Sequence, residues 1–456
     1  MKTKFTLFVI LLFCIVFDTP AQLFKKGDRV CFVGNSITHA GEFHHNILQY
    51  YVTRFPESPV AFYNCGISGD VTGGVLNRLE SDVLVHKPTH AVIMIGMNDV
   101  MRYLYGSAIT LSADTLKKRE NSLVVYRKNL DSIVRILIDK KVSVILQKPS
   151  IFDQTAKIAR PNNLGVNDAL KTCADYMQTL ADKYKLQTVD YWSIMTEINK
   201  TIQQKDSSAT VVGADRIHPG ATGNLIMAYQ FLRTTKSPTY ISKIAVAKNA
   251  MKGKSASANC TVTKLKYNAK GVEFICKENA LPFTFSESQK TGLSLVPIMQ
   301  ELNQEILQVS DLTFGNYELR IDSTLIGIFS SEELLQGVNL ASLIKTPQYR
   351  QSETVKKELT KLWENEAKLR TISYMDIKYL NDFKNKSDLN LSVAYLDSLF
   401  TAKFPTNTYL KTQMQKYKVV KPNAKMLEKE ADELRSRVYQ LAQPVSHRFM
   451  LVSKER

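Results

Sequence analysis

Residues 29–46 read RVCFVGNSITHAGEFHHN, and this stretch decides how the amino-terminal half of the chain folds. The apolar run from Val30 to Val33 is β-branched and aromatic in character, which predicts a buried strand. Gly34 ends that strand, Ser36 follows it, and a helix is predicted from about Glu42. A serine at this point lies at the carboxyl-terminal edge of a sheet, where open α/β folds place their functional sites. Taken alone, Ser36 either caps the helix or presents its hydroxyl to the positive helix end, which favours negative charge.

From residue 25 to about residue 235, short apolar runs alternate with longer amphipathic ones. This alternation predicts βαβ units, and so a three-layer α/β/α domain with a parallel sheet of about five strands. The predicted strands are Val30–Val33, Val60–Asn64, Ala91–Ile95, Val142–Leu146 and Gln187–Tyr191. The predicted helices are Glu42–Arg54, Gly74–His86, Ser122–Lys140 and Asn167–Lys183.

The pattern changes after Lys236-Ser237-Pro238. A β-hairpin is predicted from two alternating segments around residues 268–270, and further short strands follow. From about Ser342 the chain is charged, poor in glycine and helical in pattern. The sequence therefore predicts an α/β domain over residues 22–238, a small β-rich module over 239–341 and an α-helical carboxyl-terminal region over 342–456. The later elements are predicted at Cys260–Tyr267, Gly271–Cys276, Ile306–Val309, Tyr317–Ile321, Leu325–Phe329, Glu353–Leu380 and Met426–Leu441.

The first 21 residues have the composition of a secretory signal. Lys2 and Lys4 precede an apolar run from Phe5 to Phe17, and small residues end at Ala21. The run is too short for a transmembrane helix, and no later stretch is apolar enough to be one. We therefore predict a cleaved signal peptide over residues 1–21 and an exported protein, periplasmic or extracellular, without a transmembrane anchor.

The chain is strongly basic, with a formal net charge of +17. Residues 341–456 hold 22 lysines and arginines against 13 acidic residues. Export and the lack of a recognisable binding motif argue against nucleic acid as a partner. An acidic polysaccharide or an anionic envelope surface suits this charge better, and a solvated basic helical face without a specific partner is the alternative.

Cysteine and histidine spacing gives no support for a metal site, because the sequence has no CxxC and no HExxH. Five cysteines outside the predicted signal do not form a disulfide framework. Cys260 and Cys276 flank the predicted hairpin, and they either bridge or are offset diagonally. His39 is expected to line a cleft, whereas adjacent His44 and His45 point about 100° apart on a helix and make a poor chelate.

Four polar, glycine-punctuated segments follow predicted strands of the α/β domain. They are Ser36, Asn64–Asp70, Gly96–Asp99 and Asp215–Gly220. Because parallel strands all end at the same edge of a sheet, these segments are predicted to meet there and form a site.

The chemistry that needs these residue types is acyl transfer. A serine hydroxyl such as that of Ser36 needs a base, and His218 is the natural one. Asp215 can bond the other ring nitrogen and fix the useful tautomer. The backbone N–H groups of Ser36 and Gly69 and the side-chain amide of Asn98 are candidate donors for an oxyanion hole.

These segments resemble the four sequence blocks of the SGNH (GDSL-type) hydrolase superfamily. The chain carries GNSIT at 34–38, NCGISGD at 64–70, GMND at 96–99 and DRIHPG at 215–220, in the family's order. The resemblance covers roughly residues 27–235.

The resemblance implies an SGNH-like fold and a set of site residues. Ser36 is the implied nucleophile, Asp215 and His218 complete the implied triad, and Gly69 and Asn98 are the implied oxyanion donors. Asn35 departs from the family motif, which has aspartate there. That change puts the hydrogen bonding of the loop in question and not the reaction.

The leading hypothesis is an exported serine esterase that removes small acyl groups, acetyl in particular, from a polysaccharide or oligosaccharide, without metal or organic cofactor. The basic surface points to an acidic glycan as one candidate substrate. A lipase or general carboxylesterase is the second hypothesis, and it predicts an apolar rim near Tyr103–Tyr105. The third is a glycan-binding protein whose hydrolase domain is auxiliary.

Overall fold

The computed structural model describes residues 22–106, 109–248 and 257–454, and the predicted signal peptide of residues 1–21 lies outside them. The first half of the described chain forms a parallel sheet of five strands in the order β2-β1-β3-β4-β5. Its strands are β1 (Arg29–Gly34), β2 (Ala61–Gly66), β3 (His90–Met94), β4 (Ser143–Lys148) and β5 (Gln187–Asp190).

Helices cover both faces of this sheet, which confirms the predicted three-layer α/β/α architecture. Buried side chains of α2 and α7 pack on one face, and those of α4 and α5 pack on the other. The helices are α1 (Ser36–Ala40), α2 (Glu42–Arg54), α3 (Thr72–Asn77), α4 (Ala113–Asp139), α5 (Val166–Tyr184), α6 (Tyr191–Gln203) and α7 (Ala221–Thr234).

One predicted helix of this domain is interrupted. The sequence predicts a single helix over Gly74–His86, but α3 ends at Asn77 and irregular helical turns follow over Leu79–Val83 and Leu84–His86. Arg78 lies at the break with a buried guanidinium that contacts Asp70 and Asp82. These tertiary contacts override the helical periodicity of the segment.

The second region is a β-rich module with two sheets, in the orders β11-β10-β13-β8-β7 and β12-β9-β6. Buried side chains from both sheets form one apolar core. Its strands are β6 (Tyr240–Val246), β7 (Cys260–Asn268), β8 (Gly271–Glu278), β9 (Gln304–Val309), β10 (Asn316–Ile321), β11 (Thr324–Ser330), β12 (Val338–Asn339) and β13 (Ser446–Ser453), with short helices α8 (Lys290–Leu295), α9 (Ile298–Glu301) and α10 (Ser331–Gln336).

The third region is helical, and it consists of α11 (Pro347–Lys378), α12 (Leu389–Lys403), α13 (Thr408–Val420) and α14 (Ala424–Leu441). The prediction that residues 342–456 are helical is wrong for β13, which returns to the β module and pairs between β8 and β10. Its partners lie more than a hundred residues earlier in the chain, so no local pattern announces the pairing.

The two hairpin cysteines do not face each other. Cys260 pairs with Glu278 and Cys276 pairs with Val262 in the register of β7 and β8. The offset is therefore diagonal, and both thiols are free.

Helix α11 touches all three regions of the molecule. Near its start, Ser352 donates a hydrogen bond to the carbonyl oxygen of Pro282. Further along, the ring of Trp363 stacks on that of His45 at 4.7 Å. Its last turns pack against α13, and it runs beside α14. At 1.5 Å per residue, its 32 residues span roughly 48 Å.

Among the described residues, none of the helices is apolar over enough of its length to cross a bilayer.

Because β13 lies at the centre of its sheet, substitutions of its buried side chains should lower the stability of the protein. Phe449 of β13 is fully buried and its ring stacks on Phe274 at 5.1 Å. Phe449→Ala should cost the module about 3–5 kcal/mol, because it removes apolar contacts and leaves a cavity. We expect a clear fall in Tm by calorimetry, and little change for Val452→Ala, whose side chain is exposed on the same strand. Equal Tm values for the two variants would contradict the central position of β13.

Candidate active site

A chain of hydrogen bonds joins Ser36, His218 and Asp215 at the carboxyl-terminal edge of the parallel sheet. The Oγ atom of Ser36 lies 2.7 Å from Nε2 of His218, and Nδ1 of His218 lies 2.5 Å from Oδ2 of Asp215. With a proton on Nδ1 donated to the carboxylate, Nε2 is free to accept the serine proton. In this geometry His218 can take the proton of the Ser36 hydroxyl.

Backbone N–H groups fix the carboxylate of Asp215 so that it can accept a hydrogen bond from His218. Its Oδ1 atom accepts the backbone N–H groups of Ile217 and His218, each at 3.0 Å. Partial burial by itself raises the pKa of Asp215, but the hydrogen bonds from His218 and Ile217 outweigh it and hold that pKa below its ordinary value. Asp215 is therefore an anion that orients the imidazole.

Ser36 is the first residue of α1 and does not cap it. The cap is Asn35, whose Oδ1 atom accepts the backbone N–H of Ile37 at 3.3 Å. An asparagine Oδ1 accepts this bond as an aspartate would, which answers the question raised by the departure at position 35. The N–H of Ser36 lies in the first turn of α1, where such groups have no acceptor within the helix.

The close approach of α1 to the strand ends depends on a glycine in β2. A Cβ atom on Gly66 would lie 2.2 Å from the backbone nitrogen of His39. Only a residue without a side chain allows α1 to pack at this point, so Gly66 helps to place Ser36.

The segment around His218 is anchored by Arg216, which the sequence analysis did not single out. Arg216 is buried with a φ of +71°, an uncommon value for a residue with a side chain. Its guanidinium donates to the carbonyl oxygens of Asp153, Ala156, Ile158 and Arg160. These contacts tie the histidine loop to the loop over residues 153–160. In the sequence, only its position inside the DRIHPG block indicated that Arg216 could be important.

The sheet register brings the second and third segments beside Ser36. Gly34 at the end of β1 pairs with Gly66 of β2 on one side and with Met94 of β3 on the other. Gly69 and Asn98 follow those partners by a few residues. The sequence prediction that these segments share one sheet edge therefore agrees with the strand register.

The amide of Asn98 has a defined orientation. Its Nδ2 atom donates to the carbonyl oxygen of Asp70 at 2.9 Å, and its Oδ1 atom accepts from Arg102 at 2.8 Å. The contact with Asp70 uses one of the two amide hydrogens, which leaves the other for a ligand. Arg102 was missed at the sequence level, although it follows Asn98 by four residues.

Gly69 has a φ of +74°, in the region that favours glycine. Among the described residues, its backbone N–H has no hydrogen-bond partner. A Cβ atom here would lie 2.7 Å from Nζ of Lys378, a residue of α11. The positive φ favours glycine, whereas a Cβ atom would displace only the flexible end of the Lys378 side chain.

Two further carboxylates brace the second segment. Asp99 accepts the N–H and the hydroxyl of Thr72 at 2.8 and 2.7 Å, and Asp70 accepts from Arg78 at 2.8 Å. Burial raises the pKa of Asp99 to about 6, in spite of the bonds from Thr72. These contacts link the Asn98 loop to the loop that carries Gly69.

The histidines near Ser36 have structural roles. His39 accepts the backbone N–H of Ser68 at 3.3 Å through Nδ1, and desolvation lowers its pKa to about 3, so the ring is neutral. Burial also lowers the pKa of His44 to about 4. Within the described ranges, the histidine, cysteine and acidic side chains form no group of three suited to a metal ion.

An apolar cavity of about 410 Å³ opens beside Asn98. Its wall includes the exposed side chains of Val71, Met101, Tyr103 and Val125. The predicted apolar rim near Tyr103–Tyr105 is present at Tyr103, which is 69% exposed, whereas Tyr105 is buried.

A buried ion network lies beneath these loops. Asp82 contacts both Arg78 and Arg370, and all three side chains are at most 5% exposed. Burial alone raises the pKa of Asp82, but the two guanidinium groups outweigh it and lower that pKa from 3.8 to about 2. No local signal in the sequence pointed to Arg370, which belongs to α11.

Comparisons with known proteins indicate an ester hydrolase. Residues 32–226 match the GDSL-like Lipase/Acylhydrolase family. An acetylxylan esterase of Geobacillus stearothermophilus is 25% identical over 227 residues, which are 46% of this chain and 94% of that protein. The solved structure of a gut microbial diltiazem-metabolizing enzyme is 29% identical and superposes with a TM-score of 0.85 over 95% of this chain and 99% of that one. The similarity to the diltiazem-metabolizing enzyme extends the shared fold to the β module and the helical region.

The ion network around Asp82 should make the stability of the protein depend on pH. Because the pKa of Asp82 is depressed, its contribution to stability is present above about pH 4 and is lost as the pH falls toward about 2. Asp82→Asn should destabilise the protein by about 3–5 kcal/mol at pH 7, since it leaves buried guanidinium charge without its carboxylate. The gap in stability between wild type and variant should narrow by about 2 kcal/mol between pH 4 and pH 2.

Urea unfolding at a series of pH values measures this gap. Asp114→Asn is the control, because Asp114 belongs to an exposed ion pair with Lys118 and such pairs contribute little. If the difference in unfolding free energy between wild type and Asp82→Asn stays constant from pH 7 to pH 2, the lowered pKa of Asp82 is refuted.

Proposed function

On the premise that this chain is a carboxylic-ester hydrolase with an SGNH (GDSL-type) α/β domain, we propose that it is an exported serine esterase that releases acetyl groups from a polysaccharide or oligosaccharide. The observation that carries the proposal is the hydrogen-bond relay from Ser36 through His218 to Asp215. Export rests on the signal-like residues 1–21.

The reaction has two halves, and each moves one proton through His218. Oγ of Ser36 attacks the ester carbonyl carbon while Nε2 of His218 takes the hydroxyl proton. The tetrahedral intermediate collapses, the bond to the alcohol oxygen breaks, and His218 returns the proton to that oxygen. Water then attacks the acyl-enzyme, again with His218 as base, and acetate leaves as Ser36 recovers its proton. Asp215 stays ionised and stabilises the imidazolium in each half.

Negative charge on the carbonyl oxygen requires donors in place before the reaction. The N–H of Ser36 lies in the first turn of α1, the N–H of Gly69 has no other partner among the described residues, and Asn98 has an unused amide hydrogen. In the proposed mechanism these three groups form the oxyanion hole.

Two observations support a small acyl group on a polar carrier. The acetylxylan esterase relative matches over nearly its whole length. The net charge of +17 would draw an acidic glycan toward the protein by long-range attraction, which weakens as salt is added. An acylated, acidic glycan is accordingly the substrate class that we propose.

Ester hydrolysis by the mature protein and its Ser36→Ala variant tests the proposal. Acetyl and octanoyl esters of one chromogenic alcohol would be compared with acetylated xylan and pectin, with released acetate measured. We expect acetate release by the wild type and a loss on the order of 10⁴-fold or more in Ser36→Ala. Ser132→Ala is a matched control, because it removes an exposed hydroxyl of α4. Equal rates for Ser36→Ala and wild type would refute the mechanism.

A lipase or general carboxylesterase is the second candidate, and the apolar cavity beside Asn98 favours it. Its exposed apolar wall at Val71, Met101, Tyr103 and Val125 could receive a long acyl chain. Burial of one methylene contributes about 0.8 kcal/mol to binding. An acyl chain that fills this cavity would therefore bind more tightly than an acetyl group.

Variants of two neighbouring valines of α4 distinguish the lipase candidate from the acetylesterase candidate. Val125 lines the cavity and Val124 does not, although both are about half exposed. If octanoate occupies the cavity, Val125→Asp should lower kcat/KM for octanoate at least tenfold and leave acetate unchanged, whereas Val124→Asp should change neither. Equal effects of Val125→Asp on both esters would remove the support for the second candidate.

A further inference from the structure

The segment Gly66–Asp70, which carries Gly69, is held by hydrogen bonds on almost every peptide group. Within the α/β domain, His39 accepts the N–H of Ser68 and Asn98 donates to the carbonyl oxygen of Asp70. Ile67 accepts the N–H of Asp70 in a tight turn. Gly34 and Asn64 accept the N–H groups of Ile67 and Gly66. The contacts from outside the α/β domain come from α11, more than 300 residues further along the chain.

Arg370 of α11 makes the first of these long-range contacts. Its Nε and Nη2 atoms donate to the carbonyl oxygen of Gly66 at 3.1 and 2.9 Å, and it is paired with Asp82. The side chain of Ile67 is buried in the apolar core of the helical region, in a cluster with Ile372 and Met375. The start of the segment is therefore anchored by α11 as well as by the α/β domain.

Lys378, at the last turn of α11, makes the second contact. Its Nζ atom donates to the carbonyl oxygen of Ser68 at 2.6 Å. That carbonyl belongs to the same peptide unit as the N–H of Gly69. A trans peptide is planar, with its C=O and N–H pointing in opposite directions. A bond that fixes the oxygen of Ser68 therefore also fixes the direction of the N–H of Gly69.

The charge on Lys378 adds to this geometric effect. A hydrogen bond from an ammonium group is stronger than one from a neutral donor, and a donor on the carbonyl polarises the whole peptide unit. The N–H of Gly69 then becomes a better donor. Gly69 is the residue at which a Cβ atom would contact this ammonium group, so its lack of a side chain allows the contact.

We propose that Lys378, the last residue of α11, is a positioning residue for ester hydrolysis. Lys378 acts through the Ser68–Gly69 peptide, whose N–H it aims at the oxyanion. The inference rests on the proposed function, because it takes Gly69 as an oxyanion donor. It goes beyond that function by assigning a role in the reaction to the carboxyl-terminal helical region.

Lys378→Met tests the proposal, because methionine keeps most of the side-chain stem and removes the donor and the charge. The side chain of Lys378 reaches the surface, although desolvation of its ammonium group lowers its pKa. The variant should therefore fold, and its Tm is measured beside its activity. Lys357→Met is the matched control. It makes the same change in charge on an exposed position of α11, 21 residues or roughly 30 Å along the helix. The substrate is 4-nitrophenyl acetate, which carries no net charge.

We expect Lys378→Met to lower kcat by about 10- to 100-fold with little change in KM, less than the roughly 100- to 1000-fold cost of removing a whole oxyanion donor. The affinity for a boronic acid transition-state analogue should fall by a similar factor. Lys378→Arg, which keeps the charge and a donor, should recover most of kcat. Lys357→Met should match the wild type.

Three outcomes would overturn the inference. They are a wild-type kcat in Lys378→Met, an effect on KM alone, and an equal loss in Lys357→Met. Ser36→Ala, measured beside them, separates this inference from the proposed function. If wild type and Ser36→Ala have the same rate, the proposed function fails. If Ser36→Ala is inactive and Lys378→Met is fully active, only the role of Lys378 fails.

Discussion

The pairing of Arg370 with Asp82 is the interaction on which the rest of the structure depends. Both side chains are 5% exposed, and an unpaired charge at such depth would be strongly unfavourable. Arg370 belongs to the carboxyl-terminal helices and Asp82 to the α/β domain. Arg370 reaches this carboxylate only when α11 docks against the α/β domain, and Asp82, which also pairs with Arg78, then has a second guanidinium partner. Once docked, the same guanidinium also holds the carbonyl oxygen of Gly66 at the end of β2.

This docking makes the three regions one structural unit. Helix α11 contacts the β module at Pro282, the α/β domain at His45 and Asp82, and α14 along its length. After α14 the chain returns to the β module, where β13 fills the centre of the five-stranded sheet. The β module therefore cannot be completed until the helical region has been made. A boundary drawn from composition alone separates segments that share a core.

The candidate site combines a polar relay with an apolar neighbour. Ser36, His218 and Asp215 lie in line, and the loops that supply N–H donors are braced by buried carboxylates at Asp70 and Asp99. The cavity beside Asn98 is mostly apolar. In the proposed function the relay would break the ester bond, and the cavity would influence which ester is preferred.

Much of the α/β domain could be predicted from the sequence, because the pattern is local. Five apolar runs gave strands within two residues of those observed, and the four blocks hold residues that strand order places at one edge. The interruption at Arg78, the return of β13 and the role of α11 could not be predicted. Each depends on contacts between distant parts of the chain, such as the hydrogen bond of Arg370 to Gly66 across 304 positions. The sequence by itself determined which groups could carry out the proposed reaction, since the proposed nucleophile, the proposed base and the orienting carboxylate each lie in a short block. Only the tertiary structure decided what holds the Gly69 peptide, because Lys378 lies 310 positions from Ser68 and reaches it only when α11 has docked, and periodicity does not encode such a contact.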